Sequence, residues 1–283
     1  MSKELKDIRH LEYYDVSKDN PIIIKLKTTK RKKLYHYTNS SGAKGILQSG
    51  SLWITHSSFL DDITEIKYIS LVLGGVIQYL KQNKELYDRK VEGQFYIYEA
   101  IIKTLEALRE IYVEGAPISG GNLFILSLSE NSNNNYLLEN YCGQDGAVFE
   151  FENNIKSMFE GNEYTFHTFS AKVEYDLGKQ ITLLLEDIND FYWELLNVLL
   201  NKGTADYLEV VETIKSIIYI KTINYSFFFK HHKYSKEQEY RAVFLVDENL
   251  NEQIVQHRMK GDREIPFIEI ELNKKSLINT RFV

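Results

Sequence analysis

The sequence predicts an α+β fold, a mixed or antiparallel sheet with two helical insertions packed around it. Three observations predict it. Short segments with β character recur from residue 22 to residue 272. Two blocks, about 62–114 and 179–230, instead repeat their apolar residues at helical spacing. No shift in composition separates the blocks from the strands, so residues 1–283 read as one domain.

The elements follow in chain order. "IIIKLKT" (22–28) and "LYHY" (34–37) read as strands, joined by the basic run Lys30 to Lys33. Ser40 or Ser41 is placed to cap the helix "SGAKGILQS", which Gly50 stops. "LWIT" is the next strand. The first helical block ends at the breaker-rich "EGAPISGG". "NLFILSLS" is a buried strand, "ENSNNN" a polar loop, "YLLENYC" a short helix, and "GAVFEF" and "YTFHTFSAKVEY" are strands. The second block comes next, and "EYRAVFLV" and "PFIEIEL" close the chain as strands. The strands at 34–38, 123–128, 146–152 and 239–246 are expected in one sheet, with the helical blocks shaping access to a cleft.

Composition narrows the function classes. The 283 residues are 43% hydrophobic, ample for a core. A net charge of -6 argues against non-specific nucleic-acid binding, although the Lys30 to Lys33 run could steer an anion. One cysteine, Cys142, excludes an intramolecular disulfide and a cysteine zinc cluster, and it reads as an inert thiol. The charged N-terminus lacks an apolar signal core, and no apolar run is long enough to span a bilayer. A cytoplasmic protein that does not bind membranes is expected.

Three groups of residues could carry chemistry. His36 alternates with Tyr35 and Tyr37 and shares a face with Leu34 and Thr38. It is either hydrogen-bonded within the sheet or a donor to a ligand. In "YSKEQEYRAVF", Glu237, Glu239 and Arg241 alternate and share a face if the segment is extended. Two carboxylates so placed repel, which raises the pKa of at least one unless a cation such as Arg241 screens them. Asp61, Asp62 and Glu65 suit a helix N-terminus, with a Mg²⁺ or Ca²⁺ site as the alternative. His231 and His232 are adjacent, diverge on any regular element, and are not expected to bind metal by themselves. No metal is expected.

The order "LYHYT…GILQSGSLW", "FLDDITE", "FILSLSE", "ENYCGQDGAVFEF" and "KHHKYSKEQEYR" resembles a bacterial family labelled Domain of Unknown Function 2971. Leu138 stands where that family usually has tryptophan, and Asp61-Asp62-Ile63 with Glu65 where it usually has "NDP.E". The opening stretch is also similar to the start of ADP-ribosyltransferases, including DNA-targeting toxins and RNA 2′-phosphotransferases. Those end their motif set with a catalytic Glu in "QxE" or "ExE". His36 and Glu239 match the two ends in order, Glu237 matches the first position of "ExE", and "SLS" with Ser127 and Ser129, or the tyrosines after the first helix, would fill the middle. The resemblance implies a sheet of ADP-ribosyltransferase type and NAD⁺ as substrate. His36, Tyr37, Thr38, Gly42, Ser127, Ser129, Tyr141 and Arg241 would contact it. Glu239 would stabilise the oxocarbenium-like centre and Glu237 would orient or deprotonate the acceptor, a protein or a nucleic acid. It leaves three readings: an ADP-ribosyltransferase or NAD glycohydrolase, a non-catalytic module binding a nucleotide-like ligand or a phage protein, and a toxin or anti-phage effector. Whether His36 and Glu239 line one cleft discriminates between them: if the two lie on opposite faces of the sheet, the reading as an ADP-ribosyltransferase or NAD glycohydrolase built on both residues fails.

Overall fold

The computed structural model describes residues 26, 31–59, 64–88, 96–114, 122–155, 166–202, 206–246, 251–273 and 275–283. The expected strand at 22–28, Lys30, Asp61, Asp62 and the breaker-rich 115–121 lie outside the described residues, apart from Leu26.

The chain opens with strand β1 (Lys33–Thr38), helix α1 (Ser40–Ser49) and strand β2 (Ser51–His56). Helices α2 (Thr64–Gln82), α3 (Lys84–Tyr87) and α4 (Ile97–Glu114) form the first block, with Glu65 in the first turn of α2. Then come β3 (Asn122–Ser129), α5 (Asn135–Leu137), a π-turn (Leu138–Cys142), β4 (Ala147–Glu152) and β5 (Phe166–Lys172). Helices α6 (Leu177–Lys202) and α7 (Tyr207–Ser226) are the second block. A 3-10 turn (His232–Glu237), β6 (Glu239–Val246), α8 (Asn251–Ile254), β7 (Val255–Lys260), β8 (Arg263–Glu271) and β9 (Leu277–Phe282) complete it.

Helix α1 shows how local chemistry sets an element. Its cap is Asn39, not Ser40 or Ser41: the Asn39 Oδ1 accepts from the Gly42 N–H at 2.9 Å. Gly50 ends it at φ 69°, a left-handed backbone that favours glycine, and its N–H returns to the Ile46 carbonyl. Asn39→Ala should therefore cost about 1 kcal/mol in denaturant unfolding, whereas Ser40→Ala and Ser41→Ala should leave stability unchanged.

All nine strands join one antiparallel sheet, and a parallel contact occurs among the described residues only as the isolated bridge Glu174–Phe229. The sheet is not mixed. It forks at β3. One edge of β3 pairs with β6 along its whole length, from Asn122↔Val246 to Ser129↔Glu239, and β6 pairs onward with β5. The other edge is shared: β2 takes Phe124 and Ile125, and β1 takes Ser129. Ser127 falls between the two partners.

Period-two alternation sends the residues of β3 and β6 to two cores. Leu123, Ile125 and Val243 pack under the helices with Val72, Leu105, Leu184, Leu195 and Ile214. Phe124, Leu126, Ala242 and Phe244 pack on the other side with Leu34, Phe149, Ile268 and the α1 residues Ala43 and Ile46. The four strands expected together do belong to this one sheet. Strands β7 and β9 were not among the expected elements. They pair at the two ends of the strand order and lack a run of alternating apolar residues.

Candidate active site

Glu239 starts β6 and Arg241 follows on the same face, opposite Ser129 and Ser127 of β3. Burial leaves Glu239 only 6% exposed and Arg241 3%. The Arg241 guanidinium grips the carboxylate with Nε–Oε1 at 2.6 Å and Nη2–Oε2 at 3.1 Å, and gives its Nη1 to the Phe227 carbonyl. The Ser127 hydroxyl donates to Glu239 Oε1 at 2.6 Å.

Glu237 departs from the expected extended geometry. It closes the 3-10 turn, and Gln238 takes a left-handed backbone with φ 49° before β6 begins. Glu237 and Glu239 are nevertheless drawn together by Lys230, a residue that sequence reasoning missed. The Lys230 ammonium lies 2.7 Å from Glu237 Oε2 and 3.4 Å from Glu239 Oε2, and only 6% of the residue is exposed. Its backbone is pinned on both sides: its N–H donates to the Glu174 carbonyl, and its own carbonyl accepts from the Gln180 amide. The second helical block thus ends by delivering a cation to the site.

Two more residues went unread in the sequence. Asn134, in the asparagine-rich loop, donates its amide to the Lys236 and Glu237 carbonyls and holds the 3-10 turn. The Tyr175 hydroxyl accepts the Glu239 N–H. Neither stands in a sequence pattern that would mark it. Ser129 donates to the Glu237 carbonyl, and Tyr37 donates to the Asn131 carbonyl while accepting from the Asn134 N–H. These expected ligand contacts are internal braces.

Tyr141 is the surface end of the cluster. The π-turn, stopped by Gly143 at φ 64°, holds its ring 44% exposed while its hydroxyl donates to Glu237 Oε1 at 3.2 Å.

The two carboxylates titrate in opposite directions. Burial raises Glu237, and the negative charge of Glu239 adds to this against the pull of Lys230. Burial also raises Glu239, but Arg241, Lys230 and Ser127 outweigh it and hold the group at about 2. Burial and the adjacent Glu237 charge push Tyr141 upward, so its phenol stays protonated.

His36 is not part of this cluster. Tyr35 pairs with Ser129, which pairs with Glu239, so these three share a face. His36 pairs with Phe149 and lies on the other face with Leu34. Its half-buried ring reaches the interval between β1 and β2, where Nδ1 lies 3.3 Å from the Ser127 carbonyl. A carbonyl only accepts, so Nδ1 carries the proton. Burial lowers the pKa of the ring and keeps it neutral. By alternation Thr38 lies on the His36 face. Gly42 is small because a Cβ there would stand 2.1 Å from the Thr38 hydroxyl. The single cleft expected to join His36, Thr38 and Gly42 to Glu239 is not assembled.

The remaining candidates have partners or no site. Arg31 donates to the Glu130 carbonyl, and Lys33 pairs with Glu150, as a surface connection would. Cys142 is buried against the Ala147 carbonyl with its pKa raised by burial. Among the described residues no group of three or more His, Cys, Asp or Glu could hold a metal ion, and no helix is long and apolar enough to cross a membrane. No family model matches the chain, and no match is found among curated proteins or solved structures.

Proposed function

We propose that the chain acts on NAD⁺, as an ADP-ribosyltransferase or NAD glycohydrolase, through Glu237 and without His36. The form of this reading that joins His36 and Glu239 in one cleft fails, because the two lie on opposite faces of the sheet. The reading takes its substrate from the sequence resemblance and its chemistry from one observation. Two adjacent carboxylates have their pKa values pushed apart, and the raised one is linked to the surface through Tyr141. Such divergence separates an acid–base group from a fixed charge.

In this reading the ribose C1′–nitrogen bond breaks and its electron pair goes to the pyridinium, which leaves as neutral nicotinamide. An acceptor oxygen or nitrogen bonds to C1′, and its proton passes to Glu237. A carboxylate with a raised pKa is a stronger base for this step. Glu239 serves as a positioning residue. Its negative charge raises Glu237, and Arg241 and Lys230 hold it still. Direct contact between Glu239 and the ribose, as the resemblance implies, would require one of its three partners to give way.

A second reading has a specific observation behind it. His36 faces away from Glu239, and the Glu239 oxygens are already occupied. This favours a binding module that keeps a nucleotide-like ligand without turning it over. Incubating the chain and a cell lysate with NAD⁺ labelled on nicotinamide, or separately on adenine, divides the readings. Nicotinamide release supports the enzyme, with adenine label on an acceptor marking transfer. Retention of intact NAD⁺ without release supports the module and defeats the enzyme. A toxin or anti-phage role is a biological setting for either. If His36 only braces the sheet, His36→Gln should leave nicotinamide release unchanged, and a loss of release in a folded variant would return His36 to the mechanism.

A further inference from the structure

We propose that the groove between α4 and α7 binds an anionic amphiphile, a molecule with an unbranched apolar tail and one negatively charged head. The site is independent of the Glu237 cluster and of any NAD⁺ chemistry.

The two helices share a core through Ile101, Leu105 and Leu108 on one side and Val210, Ile214 and Ile217 on the other. Along their outer edge the side chains are mismatched in length. Helix α4 presents Ala100, Thr104 and Ala107, while α7 presents Tyr207, Val211 and Tyr219. Short against long leaves a cavity of about 440 Å³. That volume falls in the range of small-molecule sites, about 300–1,000 Å³. From Tyr207 to Tyr219 the groove follows α7 for roughly 18 Å, at 1.5 Å per residue, so it suits an elongated occupant.

The floor offers an apolar tail little competition from polar groups. The Thr104 hydroxyl is turned back onto the Ala100 carbonyl at 2.8 Å. Burial raises the Tyr219 phenol, which stays neutral. Charge is confined to the rim, where Lys103 and Lys215 line the groove. Lys215 already donates to Glu212 at 2.8 Å. Lys103 has no ion-pair partner among the described residues. Its stem can lie along the apolar wall while its ammonium meets an anionic head at the water boundary. A neutral amphiphile of the same length gains the tail contact alone.

Titration calorimetry of the full chain with decanoate, below its micelle concentration, tests this. Saturable one-to-one binding is expected. Lys103→Glu should weaken it about tenfold or more, because a like charge replaces the complementary one. Ala107→Trp should abolish binding at the same concentrations by filling the groove, with circular dichroism and melting temperature unchanged because position 107 is exposed. The absence of saturable binding by wild-type chain would overturn the proposal. So would decanol binding as tightly as decanoate, or both variants binding as wild type does.

Discussion

Glu239→Gln is expected to lower the midpoint of thermal unfolding by on the order of 10 °C, from a loss of about 3–5 kcal/mol on breaking a buried, paired charge. The amide keeps the shape of the carboxylate but not its charge. The Arg241 guanidinium, in a residue only 3% exposed, would then lose the carboxylate that it grips, and Lys230 would lose the weaker of its two described carboxylate contacts while keeping Glu237. The pH dependence identifies the cause. The folded-state pKa of Glu239 is depressed from 4.5 to about 2. Its stabilisation is therefore fully present above pH about 4.5 and is lost as pH falls toward 2. The gap in melting temperature between wild type and variant should close over that window. A gap that persists unchanged to pH 2 would mean that the charge is not what stabilises. Below the melting temperature a second readout applies. Without the Glu239 charge, Glu237 should titrate lower, so the acid limb of any NAD⁺ turnover should move to lower pH.

Glu237→Gln should have the complementary profile. Removing the general base is expected to reduce nicotinamide release by about 100-fold or more. Stability should change little. Burial favours the neutral carboxyl at this position, so a raised folded-state pKa makes Glu237 most stabilising at low pH, and that benefit fades as pH rises through the raised value. A neutral glutamine forfeits little at pH 7. Nicotinamide release and melting temperature measured on the same preparation decide the matter. A fully active Glu237→Gln variant would remove the acid–base assignment, and with it the case for an enzyme at this site.

The strands and helices were largely legible because each carries its own period. The run "NLFILSLS" alternates, and the two blocks repeat at helical spacing, so both appear without knowledge of partners. Strands β7 and β9 were not, since edge strands bury little and need no apolar alternation. The pairing of Glu239 with Arg241 could be read from their two-residue spacing. The approach of Glu237 to Glu239 does not follow from their two-residue spacing, because Gln238, at φ 49°, breaks the extended run and Glu237 sits in the 3-10 turn. Lys230 was out of reach. Nothing local says that a lysine beyond a helix end will be buried against two carboxylates, since the chain reversal at Phe227–Phe229 and the bridge to Glu174 put it there. His36 fails for a related reason. Alternation fixes which residues share its face but not which side of a neighbouring strand that face meets, and only the register of β1, β3 and β6 decides it.

The pairing of β3 with β6 also governs the order in which the molecule can form. The contact between Ser127 and Glu239 spans 112 residues of chain. On a ribosome, β1, β2 and β3 emerge long before the strand that completes the centre of the sheet, and before β8, which pairs with β2. Closure over such distances is slow, and it leaves strand edges open to other chains meanwhile. The helical block between β5 and β6 must be made, and must turn back at Phe227, before Lys230, Glu237 and Glu239 can meet. During synthesis the charged cluster therefore cannot assemble until residue 239 has been made, and a chain stopped short of β6 has neither its central strand pair nor its two carboxylates.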